Sequence, residues 1–412
     1  MLPAVHTLEN PTRWRFVGLA ALVSAPGLVV LLASLHVPSA VEAALFGAAI
    51  MGAAFLLAWA AEVAQLDISQ TLAIAVLAVI AVLPEYAVDL FFAFRAGQGD
   101  ESAQEFAIAN MTGANRLLIG IGWAAVVLVF WWKSKQKRIT LRPVQRIDVG
   151  YLLLASIWAI FIPLRGEIGM LDMAVLVFLF SAYIVRAARE EVEEPDLIGT
   201  PAFLGTLPKV RRRITILLMF LFSAAAILMV AEPFAHSLVD IGQRFGISEF
   251  LLIQWVAPLA SEAPEMIIAI LFVLRFKAQA GLGTLISSKV NQWTLLVGTL
   301  PVVFSLGAGR VAGLPLDFQQ SEEIFLTAAQ SLFAVAVIAN LSVTTTEAAM
   351  LLVLFLGQFL IPETTVRIGF AIAYTVLFVA WIAFKPDVRR GLWRAILNVV
   401  GMRREEEPAG SA

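Results

Sequence analysis

The chain has 412 residues, 60% of them hydrophobic and 15% charged, with a formal net charge of −2 and no cysteine. A mean hydropathy of +0.86 lies far from the soluble globular range, so lipid is the simplest solvent. Balanced charge argues against nucleic acid as a partner, and the lack of Cys excludes disulfides and thiolate metal sites.

A helix needs about 20 apolar residues to cross a ~30 Å hydrocarbon core. Such runs follow one another along the chain: Phe16 to Leu35, Val41 to Ala64, Ile68 to Phe94, Gln104 to Trp132, Val149 to Leu164 and Met170 to Ala187, then Ile214 to Phe234, Ile247 to Phe276, Leu282 to Ala308, Ile324 to Leu341, Thr344 to Leu360 and Val366 to Phe384. The pattern predicts an all-α polytopic membrane protein of about twelve transmembrane helices. The alternating short strands of a barrel are not visible, and the first run is too long and uniform for a cleaved signal peptide.

Lys and Arg collect in alternate segments (13–15, 133–146, 186–213, 275–277 and 385–404), which predicts cytoplasmic N- and C-termini. The opposite loops hold only Arg95, Arg165, Arg244, Arg310 and Arg367, while Arg116 and Lys289 fall inside predicted spans. Compact loops and short tails fit a plasma (inner) membrane. A charged stretch with Pro195, Pro201 and Pro208 reads as a cytoplasmic linker at 188–213. The expected layout is a tail and extra helix over 1–40, one repeat half over 41–187, the linker, a second half over 214–361, and an extra helix with a cytoplasmic tail over 362–412.

Two similar segments flank the linker: ISQTLAIAVLAVIAVLPEYAVDL followed by EFAIANMTGANRLLIGIG, and ISEFLLIQWVAPLASEAPEMIIAI followed by GLGTLISSKVNQWTLLVG. Each is an apolar helix interrupted by Pro-Glu, then a helix rich in small and amide residues. The loop between the first pair falls outside and that between the second inside, so the halves are inverted, a signature of secondary transporters. Glu85 and Glu265 therefore sit in mid-membrane, where a charge costs about 2.5–3.5 kcal/mol and normally faces a polar cavity. Pro84 and Pro264 also free the carbonyls of Ile80 and Ala260. Carboxylates and free carbonyls are hard oxygen ligands, suited to Ca²⁺ or Na⁺; the plainer alternative is a kinked helix whose glutamate pairs with a neighbour.

These segments resemble the α-repeats of the sodium/calcium exchanger and cation/calcium antiporter superfamily, whose repeats read G-T-S-L-P-E followed by G-N-x-x-G-S-N. The first half here reads IAVLPE ending at Glu85, with ANMTGAN over 109–115. The second reads ASEAPE ending at Glu265, with GTLISSK over 283–289. Ala61-Glu62 and Ala231-Glu232 in the preceding helices look similar as well. The resemblance implies two inverted-topology repeats forming a ten-helix core with the ion site between them, plus one extra helix at each end. With the residues' own reading added to that resemblance, metal ligands are expected at Glu85, Glu265, Glu262, Ser261, Asn110 and Thr284, and gating or coupling roles for Asp89, Asn115, Arg116, Ser288, Lys289, Asn291 and Gln292.

Ala81 and Val82 stand where the family has Thr and Ser, which weakens a Na⁺ site on the first side, whereas the second half adds an acid, Glu262. Asp89 shares a helix face with Glu85 and reads as either a gate or a solvated residue near the outer surface. Arg116 and Lys289 each could pair with a site glutamate when no cation is bound, replacing a coupling ion, although Arg116 could instead cap a helix end or snorkel outward. Asn291 and Gln292 supply amide oxygens or interhelical hydrogen bonds. Thr344 to Glu347 read as a helix cap, Glu322 and Glu323 as an outer first-turn pair, and Trp14, Trp131, Trp132 and Trp393 as interfacial anchors. No H-E-x-x-H metalloprotease pattern occurs, and no enzymatic activity or cofactor is expected.

The leading expectation is a secondary cation antiporter that exchanges Ca²⁺ for Na⁺ or H⁺ by alternating access, with membrane lipid and small inorganic cations as partners. A monovalent cation/proton exchanger, and a non-transporting scaffold or sensor that retains the fold, are the alternatives.

Overall fold

The computed structural model describes residues 11–67, 83–189, 197–361 and 363–401. In chain order its helices are α1 (Pro11–Leu32), α2 (Ser39–Ala64), α3 (Leu83–Gly97), α4 (Glu101–Leu117), α5 (Ala124–Ser134), α6 (Arg146–Arg165), α7 (Met170–Ala187), α8 (Thr200–Gly205), α9 (Lys209–Phe245), α10 (Glu249–Leu274), α11 (Ala278–Asn291), α12 (Val297–Ala308), α13 (Phe318–Ile338), α14 (Thr345–Leu360), α15 (Thr364–Phe384) and α16 (Pro386–Val399). Among the described residues 10 helices are long and apolar enough to cross a membrane, with α4–α5 and α11–α12 each counted as one rod. Of the other two expected spans, the third is described only as α3, since 68–82 lie outside the described residues, and the eleventh is the 16-residue α14.

The solvent dictates which residues face out. Leu22, Leu32, Leu218 and Val376 are more than half exposed on the rim, whereas Arg116, Lys289 and Glu323 have no exposed surface. Hydrocarbon solvates apolar side chains, so charge is driven inward to partners or cavities, the reverse of a soluble domain.

Two short clips express the relation between the halves. Strand β1 (Arg138–Thr140) pairs antiparallel with β4 (Ser342–Thr344), and β2 (Glu167–Ile168) with β3 (Leu314–Pro315). β1 follows α5 as β3 follows α12, and β2 follows α6 as β4 follows α13, so exchanging the halves exchanges the clips. Helix order puts one clip on the face where α1 begins and the other on the opposite face, as inverted repeats require. Thr344 caps α14 through a reciprocal pair with Glu347, as the sequence indicates.

Several elements differ from the sequence reading. Pro264 lies inside the continuous helix α10, because a proline removes one donor and bends a helix without ending it. The changes of pitch fall instead in the following rods, where Leu118–Trp123 and Gln292–Leu296 are π-helical. A π-turn inserts one residue and re-aims the side chains beside it, and such turns concentrate at functional sites. The linker is partly helical: α8 forms, and α9 begins at Lys209 rather than Ile214. Its early start is explained by Arg212 and Arg213, which reach Asp67 at the end of α2 at 2.7 and 3.0 Å. At the other end of the same antiparallel pair, the Ser39 hydroxyl donates to Asp240 at 3.4 Å. The expected tail also contains α16, which buries Val388, Leu392 and Ala395 and exposes Arg389, Arg390 and Trp393, the pattern of a helix lying in the interface.

Candidate ion-binding chamber

Glu85 stands in the first turn of α3 and is 1% exposed; Glu265, near the middle of α10, is partly exposed. Glu265 lies within electrostatic range of Glu85, and the Ser261 hydroxyl lies beside Glu85. Glu262, fully buried one turn before Glu265, is within the field of both, and Ser288 stands next to Glu265. A cavity of about 30 Å³ opens between the repeats, lined by Ala54, Leu57, Pro84, Ser261, Pro264 and Glu265. That is space on the scale of one or two waters or a dehydrated cation. One turn beyond Glu85, Asp89 is fully buried and accepts from the Asn110 amide at 2.8 Å. It is thus a paired internal acid and not part of a solvated face.

The chemistry of the donor set is read from what is left unpaired. Glu85, Glu262 and Glu265 each keep a buried carboxylate oxygen without a partner, as does Asp89, and the amide oxygens of Asn110, Asn291 and Gln292 are likewise unpaired. Native interiors leave few such atoms. A set of hard acceptors that outnumbers its donors is what a cation would satisfy. Among the described residues no group of three or more acidic or histidine side chains is placed to hold a metal ion by itself.

Other expected site residues fall elsewhere. Thr284 is exposed and its hydroxyl donates to the Ala280 carbonyl at 3.1 Å, so it stands apart from the donor set: it shares a helix face with Ser288 and Asn291 but lies one to two turns nearer the start of α11, where that face is open. Arg116 neither snorkels nor caps a helix end, nor does it pair with a site glutamate. It is fully buried and salt-bridged to Glu323 of α13, over the ring of Trp255 at 5.1 Å. Among the described residues Lys289 makes no glutamate salt bridge either; its ammonium donates to the Asn115 side-chain oxygen at 2.6 Å and to the Asn115 carbonyl at 3.3 Å. Gln292 donates to Glu262.

Glu322 and Glu323 are buried, correcting their reading as an outer pair, and Arg367, counted among the outer loop cations, is 4% exposed and bridges Glu323. Gln254 joins the same cluster, donating to Glu323 at 2.9 Å. The missed signal was a polar stripe inside an apolar run: Glu323, Thr327, Gln330 and Ser331 recur at helical spacing and all are buried.

The sequence profile described as "Sodium/calcium exchanger protein" matches residues 19–188 and 215–385. The crystal structure of the H⁺/Ca²⁺ exchanger CAX is 40% identical, covering 96% of this chain and 100% of that one, with a TM-score of 0.90. Native YfkE shares the fold at 18% identity, 88% and 99% coverage and a TM-score of 0.58. The sodium-calcium exchanger NCX_Mj does so at 17% identity, 79% and 99% coverage and a TM-score of 0.53. No curated protein matches the chain. With both repeats matched and a relative aligned end to end, this integral membrane protein belongs to the sodium/calcium exchanger family.

Proposed function

We propose that the chain is a secondary antiporter that exchanges Ca²⁺ for H⁺, with Glu85 and Glu265 as the carboxylates both ions contend for. The observation that carries this reading is the set of buried carboxylate and amide oxygens left without partners on α3, α4, α10 and the α11–α12 rod, with Glu265 among them lining a small cavity between the inverted repeats. A divalent ion satisfies those oxygens by coordination and protons satisfy the carboxylates by neutralising them, so occupancy by one excludes the other. Ser261, Asn110, Ser288, Asn291 and Gln292 complete the candidate donor set with Glu262 beside it, and the Asp89–Asn110 pair, one turn along α3, serves as the gate on that side of Glu85. Support for protons over Na⁺ comes from the loss of hydroxyl ligands at Ala81 and Val82 and from the 40% identical relative, an H⁺/Ca²⁺ exchanger. Alternating access needs the chamber to open to one face at a time, and the excess of Lys and Arg on the face where α1 begins supports a cytoplasmic assignment for it and for both termini.

The test is Ca²⁺ uptake into vesicles reconstituted with the protein. A pH gradient of the right sign drives uptake, Glu85→Gln and Glu265→Gln each reduce it at least ~100-fold, in line with loss of a coordinating charge, and a Na⁺ gradient at constant pH does not replace the pH gradient. Undiminished flux in both variants defeats the assignment, and Na⁺-driven uptake reassigns the coupling ion.

A further inference from the structure

Lys289 is an ammonium with no exposed surface, in a rod that lines the chamber. It is anchored without help from an acid: two of its protons go to Asn115, across the repeat boundary from α11 to α4, and its charge lies 4.4 Å from the centre of the Trp293 ring. Gln292, one turn further along the same rod, donates to Glu262, which brings that carboxylate to the ammonium's side of the chamber with its second oxygen unpaired. Arg116, the other buried cation nearby, is taken up by Glu323. The chamber proper thus holds three carboxylates, Glu85, Glu262 and Glu265, and one ammonium that cannot leave.

We propose that Lys289 is a tethered counter-cation, occupying by covalent attachment the place that a mobile monovalent ion would otherwise take beside Glu262, and so limiting the exchangeable charge to the Glu85 and Glu265 pair. A coordinating amide and an aromatic face at 4.4 Å are the surroundings a small monovalent cation also accepts, which is why the side chain can stand in for one. Two exchangeable negative charges match one divalent cation. The inference rests on the chamber reading above but concerns the charge that does not move.

Removing the ammonium while keeping Glu262 leaves a buried negative charge that only a free cation can neutralise. The experiment measures thermal unfolding of the purified full chain in detergent, with NaCl exchanged for N-methylglucamine chloride at constant ionic strength. Wild type should show no Na⁺-dependent shift. Lys289→Met should gain one, on the order of 2 °C at ten times the dissociation constant, and Lys289→Met combined with Glu262→Gln should lose it again because the charge count is restored. Lys289→Met unfolding while the double variant folds is the same result in a harsher form. An unshifted Lys289→Met that is folded, an equal shift in wild type, or a shift that persists in the double variant overturns the proposal. Wild-type Ca²⁺ flux in the same preparation separates this failure from failure of the antiporter reading, since loss of flux bears on Glu85 and Glu265 while the Na⁺ shift reports on Lys289 alone.

Discussion

Two clusters of buried charge lie side by side in this bundle, and they are built on opposite plans. In the cluster at α13, Glu323 receives Arg367 on one oxygen and Arg116 with Gln254 on the other, while Glu322 lies 3.7 Å from Arg367, so two acids face two arginines and the atoms left without a hydrogen bond are acceptors and donors alike. In the chamber, Glu85, Glu262 and Glu265 face, among the described residues, a single ammonium and retain unpaired oxygens. Balanced charge is structure, since it holds helices in register; surplus charge of one sign is a site, because only a ligand completes it.

The contrast is sharpest in stability. Glu323→Gln strands two arginines in the interior and should cost about 3–5 kcal/mol, read as a large fall in the thermal midpoint in detergent. Glu85→Gln removes a charge that has no cation partner, so in the absence of Ca²⁺ it should change stability by less than about 1 kcal/mol or raise it. If the two substitutions cost the same, the division between structural and exchangeable charge fails.

That division was only half legible in the sequence. Glu85 and Glu265 are marked by a repeated Pro-Glu at mid-span, a local signal that needs no partner to be seen, and the inverted order of the halves follows from loop charge alone. Arg116 was visible as a buried cation, but its partner was not: Glu323 is 207 residues away, and its position in the second turn of a helix reads as surface until its polar stripe is followed to Gln330. The π-turns were not legible, since residues 118–123 and 292–296 are as apolar as their neighbours and the extra residue is set by packing. Thr284 failed for a related reason. A motif aligned by letters gives the helix face, which Thr284 shares with Ser288 and Asn291, but not how far along α11 neighbouring helices cover that face.

A smaller effect joins the two clusters. A methyl group on Gly113 would lie 1.8 Å from the Gln254 carbonyl oxygen, so α4 and α10 approach here as closely as two backbones can. Gln254 belongs to the balanced cluster through Glu323, and Asn110, three residues before Gly113, belongs to the chamber through Asp89. Gly113→Ala must push the helices apart, at a cost of about 1–3 kcal/mol. Because both clusters span this crossing, Ca²⁺ flux per folded molecule should fall along with stability. Intact flux in a destabilised variant would show that the chamber tolerates displacement of α4.

The smallest effect lies outside the membrane and tests whether balanced charge means the same thing in water. The Arg212 and Arg213 guanidiniums hold the Asp67 carboxyl below the usual carboxylate range, chiefly through the Arg212 hydrogen bond. A depressed pKa contributes stability that is present above the ordinary carboxylate pKa and is lost as pH falls through the lowered one. The tie between α2 and α9 should therefore be constant near neutrality and weaken only in acid. Solvent screens this pair as it cannot screen Glu323, so Asp67→Asn should cost about 1 kcal/mol or less at pH 7, falling further in high salt. A loss as large as that of Glu323→Gln, or one insensitive to salt, would mean that the α2–α9 pair depends on its end contact and not on the apolar interface between the helices.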